Sequence, residues 1–189
     1  MARVRKPVLS LENVFFATPE QKLIRFLLKE PTTTFPLRVV ASKLKGVRGL
    51  GGVDGIKASL LRLQQLHLVE FIDHNRQVRL NDENPQVQML KKFSAICDLQ
   101  DLKAALAPIS EKVILFGSRA VGMAKSDSDY DLFVVSPQVE EVKKITARHP
   151  LGKMVDLVAW APEEYSNIES RDRNLAKKLG DGIVLWGTN

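Results

Sequence analysis

The chain has 189 residues, 44% of them hydrophobic, which is enough to build two small cores or one of medium size. The single cysteine, Cys97, excludes an internal disulfide, and no apolar stretch approaches the roughly 20 residues that cross a bilayer. The net charge of +6 is uneven, since residues 1–80 carry fourteen Lys and Arg against six Asp and Glu, whereas residues 81–189 carry fourteen against sixteen.

These properties predict a cytoplasmic protein that has no membrane partner. The basic residues 1–7 lead into no secretory hydrophobic segment, so no signal peptide is indicated. A basic first half favours a polyanion as the partner, although a solubilising surface explains the same charge.

Two helices are predicted near the start of the chain. Thr18 and Gln21 can form a capping box around Pro19, which suits the first position of a helix. Residues 37–44 predict a short second helix, and the glycine-rich run 46–55 is interpreted as a flexible connector. This run is not expected to bind phosphate, because it follows a helix and matches neither known glycine spacing.

A third helix and a hairpin follow. Ile56, Leu60 and Leu63 recur at helical spacing and mark the buried face of the helix, which we expect Asp54 to cap. The side chains of Lys57, Ser59 and Arg62 are then expected to point to solvent or to a ligand. Residues 68–80 predict two short strands around a turn at His74 and Asn75.

Residues 19–80 resemble the winged helix-turn-helix domains of prokaryotic transcription regulators, most clearly over residues 56–70. The glycine-rich connector departs from the tight turn of that family. The resemblance implies that double-stranded DNA is a partner and that the third helix enters the major groove. The candidate DNA-binding residues are Lys57, Ser59, Arg62, Arg76 and Arg79. A winged helix that serves only for protein contacts is left open.

Residues 83–109 predict a helical connector. Apolar residues recur at helical spacing from Val87 to Leu106, after a break at Asn84-Pro85. One long helix and a pair of helices split near Asp98 both fit this pattern.

The chemistry is expected within residues 113–135. An apolar strand leads to a turn at Gly117 and Ser118, and a second strand carries Asp129 and Asp131 two residues apart, hence on one face. Two adjacent carboxylates repel each other unless a cation or a proton intervenes, and Mg²⁺ prefers carboxylates together with phosphate oxygens. Glycine lets a phosphate approach the backbone, and the serine adds a hydroxyl donor.

Gly-Ser, ten residues and Asp-x-Asp form the signature of the minimal nucleotidyltransferases in the polymerase-beta-like superfamily, which residues 110–187 resemble. The resemblance implies a small mixed sheet, ATP as the substrate, Mg²⁺ or Mn²⁺ as the cofactor, and a third carboxylate on a later strand, for which Asp156 is the candidate. It also implies that Asp129 and Asp131 hold the metal, while Asp156 ligates it and activates the attacking hydroxyl. Arg119 and Ser128 are candidates for phosphate binding.

The sequence therefore predicts an α/β protein with a winged helix-turn-helix domain (1–82), a helical connector (83–109) and a nucleotidyltransferase domain (110–189). The expected reaction transfers AMP from ATP to a hydroxyl group. Family analogy suggests an antitoxin that modifies a tyrosine of a helical ribonuclease toxin of the HEPN type. The alternative is a transcription regulator whose second domain only senses a nucleotide or docks a partner. Loss of turnover and a homodimer are both left open.

Overall fold

The computed structural model describes residues 10–187. The chain divides into two compact units, one of residues 1–29 and 33–81 and the other of residues 30–32 and 82–189. The basic residues 1–7 considered above lie outside the described residues. Between residues 10 and 187, no helix combines the length and the apolar character that crossing a membrane requires.

The part of the first unit that the structure describes, from residue 10 onwards, contains four helices and a three-stranded antiparallel sheet. The helices are α1 (Leu11–Phe15), α2 (Pro19–Lys29), α3 (Leu37–Lys43) and α4 (Gly52–Gln65), and the strands are β1 (Phe35–Pro36), β2 (Val69–Ile72) and β3 (Gln77–Leu80). The strand order is β1-β3-β2.

Local sequence determines the start of α2 and the turn of the hairpin. The Gln21 N–H donates to Thr18 Oγ1 (3.2 Å) and the Thr18 N–H donates to Gln21 Oε1 (3.0 Å), which confirms the capping box. Between β2 and β3, Asp73, His74 and Asn75 have φ values of 48°, 50° and 66°. Asp and Asn tolerate this left-handed region better than most residues do. Because β2 and β3 pair antiparallel on either side of this turn, the hairpin prediction is confirmed.

Two expectations for α4 are wrong. The helix begins at Gly52, so Asp54 lies in its first turn and does not cap it. Ser59 is only 1% exposed and does not point to solvent. Its position explains this burial, because Ser59 lies three residues after Ile56 and four before Leu63, on the face that both apolar side chains bury.

The second unit contains seven helices and a four-stranded sheet within the described residues. The helices are α5 (Pro85–Asp98), α6 (Gln100–Leu106), α7 (Gly117–Val121), α8 (Val139–Arg148), α9 (Pro162–Tyr165), α10 (Ile168–Arg171) and α11 (Arg173–Gly180). The strands are β4 (Lys112–Phe116), β5 (Tyr130–Val135), β6 (Val155–Trp160) and β7 (Ile183–Trp186). Of the two alternatives for residues 83–109, the helix pair is therefore the one observed.

The sheet of the second unit is mixed, as predicted. Its order is β6-β5-β4-β7, with β4 antiparallel to both β5 and β7, and β5 parallel to β6. A parallel pair needs a crossover, and α8 provides the helix between β5 and β6. Strands β4 and β5 are thus the two central strands.

Both faces of this sheet are covered. On one face, Val113, Leu115, Leu132 and Val134 pack with buried side chains of α5, α6 and α8. On the other face, Ile114, Phe116, Phe133 and Val135 pack with Leu179 of α11. Alternation along β5 and β6 puts the side chains of Asp131 and Asp156 on the face that α11 covers.

Candidate active site

The Gly-Ser turn and the first acid meet where β4 ends. Phe116 is paired with Asp131 across the antiparallel strands, so the chain leaves the sheet at Gly117 beside the Asp131 carboxyl group. Gly117 has a φ of 69°, and a Cβ atom there would lie 2.1 Å from Asp131 Oδ2. Glycine alone can bring the main chain of this turn against the carboxylate.

The parallel pairing of β5 with β6 brings in the third acid. Asp131 and Asp156 are direct partners in this ladder, and Asp129 precedes Asp131 by two residues. Asp129 lies one residue before β5 begins, so the expectation that the strand carries it is wrong by one position. Asp129 and Asp156 are exposed and Asp131 is half-buried. The three acids therefore flank one another at one end of the α11-covered face.

Electrostatic repulsion within this group acts on Asp131. Burial raises the pKa of Asp131 above its ordinary value, and the negative charges of Asp156 and Asp129 raise the pKa further. The ammonium group of Lys178 and a backbone hydrogen bond act in the opposite direction. A positive charge placed among the acids would therefore stabilise the ionised form of Asp131.

The donor set suits magnesium shared with a substrate. Mg²⁺ is usually held by one or two carboxylates together with water and substrate phosphates, and the acids supply carboxylate oxygens on one side of the Gly117 turn. Among residues 10–187, no group of three or more His, Cys, Asp or Glu is arranged to hold a metal ion. Two carboxylates together with the phosphate oxygens of a substrate would still be a ligand set of the kind that Mg²⁺ uses.

The remaining candidates for phosphate binding differ in their surroundings. Ser118 is partly exposed at the first turn of α7. Ser128 is partly exposed, and its hydroxyl oxygen accepts a hydrogen bond from the Lys125 N–H (2.9 Å), which closes the turn before Asp129. The roles of Ser118 and Ser128 in nucleotide binding stay predictions.

The prediction that Arg119 binds phosphate has to be corrected. Arg119 is 5% exposed, and its guanidinium group donates to the carbonyl oxygens of Asp129 (3.0 Å from Nε) and Ser128 (2.6 Å from Nη2). The expectation that Arg119 faces a phosphate does not agree with this geometry, because its side chain is turned into the protein and bonded there.

Lys178 is a candidate that the sequence interpretation did not identify. Leu175 and Leu179 pack α11 onto the face of the sheet that carries the acids. Lys178 lies next to Leu179, is exposed, and its charge acts on Asp131. The apolar spacing of Leu175 and Leu179 was the available signal, but the sequence did not identify the face that they cover.

The candidate DNA-binding residues lie in the first unit. Lys57 and Arg76 are exposed and line the same surface cavity of about 570 Å³, together with Arg38 and with the carboxylates of Asp54 and Asp73. Arg62 forms an ion pair with Glu20, and Arg79 donates from Nη2 to Glu70 Oε2 (2.8 Å). The buried Ser59 is removed from this surface, so the structure retains four of the five candidates at exposed positions.

The small mixed sheet of the second unit carries the Gly-Ser turn beside Asp131, with Asp129 and Asp156 close by. Residues 98–178 match the family model of the nucleotidyltransferase domain, and this segment includes the turn and all three acids. The match supports nucleotidyl transfer as the class of reaction.

The remaining comparisons were with curated proteins and with solved structures. No curated protein matches the sequence. A solved structure of a candidate nucleotidyltransferase from Sulfolobus solfataricus is 19% identical in sequence and has a TM-score of 0.34, and the alignment covers 55% of this chain and 90% of that one.

Proposed function

We propose that the chain is a magnesium-dependent nucleotidyltransferase that transfers AMP from ATP to a hydroxyl group of a protein. The position of Asp131 carries the proposal. This residue lies against the Gly117 turn on one side and is paired with Asp156 on the other, with Asp129 two residues earlier. A phosphate-binding turn and metal-binding carboxylates are thereby adjacent, as attack on a nucleoside triphosphate requires.

In the proposed reaction, the acceptor oxygen forms a bond to the α-phosphorus of ATP. The bond between this phosphorus and the oxygen that bridges to the β-phosphate breaks, and pyrophosphate leaves. Asp156, exposed beside Asp131, accepts the proton of the attacking hydroxyl. Gly117 and Ser118 bind the triphosphate through backbone N–H groups and the serine hydroxyl.

Asp129 and Asp131 would hold Mg²⁺, or Mn²⁺ in its place, and Asp156 would be a further ligand. The cation, when bound, neutralises charge on the triphosphate. Lys178 contributes a second positive charge from α11, next to the same acids. The raised pKa of Asp131 agrees with a site that is built for a cation.

The acceptor we propose is a tyrosine of a helical HEPN-type toxin, which would make this chain an antitoxin. The support is the likeness to minimal nucleotidyltransferases and the presence of an additional basic unit. We propose that this first unit is a winged helix that binds double-stranded DNA and allows autoregulation. Its net charge and the exposed Lys57, Arg76 and Arg38 around one cavity support DNA binding.

Transfer is tested directly with ATP labelled on the α-phosphate and with Mg²⁺, in the presence and absence of a co-expressed helical partner protein. The label is expected on the partner, and it is expected to disappear when Asp129 and Asp131 are both replaced by Asn. The matched control is Asp127→Asn, which changes an exposed loop carboxylate two residues before Asp129 and should transfer normally. Tight ATP binding without transfer to any acceptor would instead favour the regulator that senses a nucleotide.

A further inference from the structure

Arg119 is buried and bonded within the protein, so its role differs from the phosphate contact that the sequence predicted. We propose that Arg119 is a positioning residue, which holds the segment of Asp129 in place for metal binding and does not contact the nucleotide. The inference rests on the proposed function for the identity of the reaction, but its evidence is the geometry around the guanidinium group.

The first part of the evidence is the pair of hydrogen bonds that Arg119 donates. Nε and Nη2 reach the carbonyl oxygens of Asp129 (3.0 Å) and Ser128 (2.6 Å), two successive residues of the main chain. A guanidinium group presents its donors in a fixed planar fork and can bond both oxygens at once. A lysine ammonium has no such fork, so it cannot reproduce the same restraint.

The second part is the ring on which the guanidinium group is stacked. Arg119 Cζ lies 3.8 Å from the centroid of the Tyr130 ring, within the range of a cation–π interaction. The Tyr130 hydroxyl in turn donates to Asp98 Oδ2 at the end of α5 (2.9 Å), and Tyr130 is 4% exposed. Arg119 is therefore fixed by the residue that stands between the two acids of the Asp-x-Asp motif.

The third part is the position of Arg119 in the chain. It lies two residues after Gly117 in α7, so its backbone belongs to the proposed phosphate-binding turn. Its side chain reaches the segment that carries Asp129. The same residue thus connects the turn to the segment of Asp129, which is ten residues after Arg119 in sequence. Loss of the connection should release Asp129 while leaving the Gly117 turn against Asp131.

Mn²⁺ binding to the full chain in the presence of a non-hydrolysable ATP analogue tests the inference, because this measurement does not depend on turnover. Arg119→Lys keeps the charge and loses the fork, and Arg119→Met loses both bonds but suits a buried position. Residues that orient metal ligands typically contribute about 10–100-fold to metal affinity, so each variant should bind Mn²⁺ about 10–100-fold more weakly. The control Arg148→Lys, at an exposed position on α8, should bind as the wild type does.

A double variant separates positioning from general damage. When Asp129→Asn is already present, Arg119→Lys should cause little further loss of Mn²⁺ affinity, because the ligand that Arg119 positions is gone. Binding of ATP without metal should be the same in Arg119→Lys and in the wild type. Loss of ATP binding with normal Mn²⁺ affinity would overturn the inference and assign Arg119 to the nucleotide.

The other possible results of the Mn²⁺-binding experiment also decide between the proposals. Wild-type Mn²⁺ affinity in both Arg119 variants, or failure of both to fold, would overturn the positioning role. If the wild type binds Mn²⁺ but transfers no nucleotide, the proposed function fails while the Arg119 result still stands. If the wild type binds no Mn²⁺, the proposed metal site itself is wrong.

Discussion

The main chain at Gly117 lies against the carboxyl group of Asp131, whose Oδ2 is 2.1 Å from the position that a Cβ atom of residue 117 would occupy. Gly117→Ala should therefore move the Asp131 carboxylate or the turn. A misplacement of about 1 Å can reduce a rate about 100-fold, and we expect a loss of nucleotidyl transfer of that order. The left-handed φ of residue 117 adds a stability cost of about 1–2 kcal/mol.

Gly46→Ala is the matched control for this φ effect. Gly46 also has a positive φ (89°), but nothing lies within 4 Å of its Cβ position. The control should lower the melting temperature without reducing transfer. Equal transfer by Gly117→Ala and the wild type would contradict the close approach of turn and carboxylate.

Asp131 should make stability depend on pH in an unusual direction. Its pKa is raised in the folded protein above the ordinary value of 3.8, chiefly by burial and then by Asp156 and Asp129. Between that ordinary value and the folded pKa, the folded state binds more protons than the unfolded state. The contribution of Asp131 to stability therefore falls as pH rises through this window, and the penalty is fully present above the folded pKa.

Asp131→Asn should consequently raise the melting temperature at neutral pH in the absence of divalent metal. The gain should shrink as the pH is lowered towards the ordinary value, and transfer should be lost at every pH. Thermal unfolding of both proteins across this pH range, with Asp127→Asn as the control, measures the effect. A gain in melting temperature that grows towards low pH would contradict a raised pKa of Asp131.

Asp156 should matter more for rate than for nucleotide affinity. A general base typically contributes about 10²–10⁴-fold to a rate, and Asp156→Asn should reduce turnover by a factor in that range with a modest change in ATP binding. Single-turnover transfer and equilibrium ATP binding separate the two effects. Unchanged turnover would show that another group accepts the proton.

Lys178 should bind the triphosphate, since its charge acts on Asp131 from α11. A hydrogen bond to a charged group contributes roughly 1.5–3 kcal/mol, so Lys178→Ala should raise KM for ATP by about tenfold or more. Lys177→Ala is the control, because Lys177 is the adjacent exposed lysine on the same helix. Identical KM values for the two variants would show that Lys178 does not bind the triphosphate.

The first unit should bind duplex DNA with an affinity that depends on salt. Each phosphate neutralised contributes close to one unit of slope in log K against log salt, so Lys57→Ala and Arg76→Ala should each lower the slope of the full chain by about one unit. Arg62 and Arg79 should contribute less, because Glu20 and Glu70 already engage them. Fluorescence anisotropy at two salt concentrations measures this.

The control for DNA binding is Lys153→Ala, an exposed lysine of the second unit, which should leave both affinity and slope unchanged. If the wild type binds neither random DNA nor the DNA upstream of its own gene at low salt, the unit is a protein-contact module. The transferase proposal would not be affected by that result.

The sequence predicted the parts of the site that depend on local pattern. The mixed sheet followed from the resemblance around the Gly-Ser turn and the Asp-x-Asp motif, and the hairpin followed from strand and turn residues. Asp156 followed from its resemblance to a family position. Its pairing with Asp131 is a long-range register of parallel strands, which no local pattern specifies.

The errors came from side chains whose surroundings are set by tertiary packing. Ser59 was placed among exposed residues although its spacing from Ile56 and Leu63 puts it on the buried face. Arg119 follows the Gly-Ser pair, where a cation suggests phosphate binding, but it is bonded to carbonyl groups nine and ten residues later. Lys178 was missed because its relation to Asp131 depends on which face of the sheet α11 covers.

The order β6-β5-β4-β7 also gives the two sides of the site different mechanical properties. The strand that leads into the Gly117 turn and the strand that carries Asp131 are hydrogen-bonded along both edges, whereas β6, with Asp156, is outermost in the sheet. Edge strands open locally at lower free energy than central ones, so amide hydrogens of β6 should exchange faster than those of β4 and β5. The region around Asp156 should therefore be the more mobile side of the site, and the region of Gly117 and Asp131 the more rigid side.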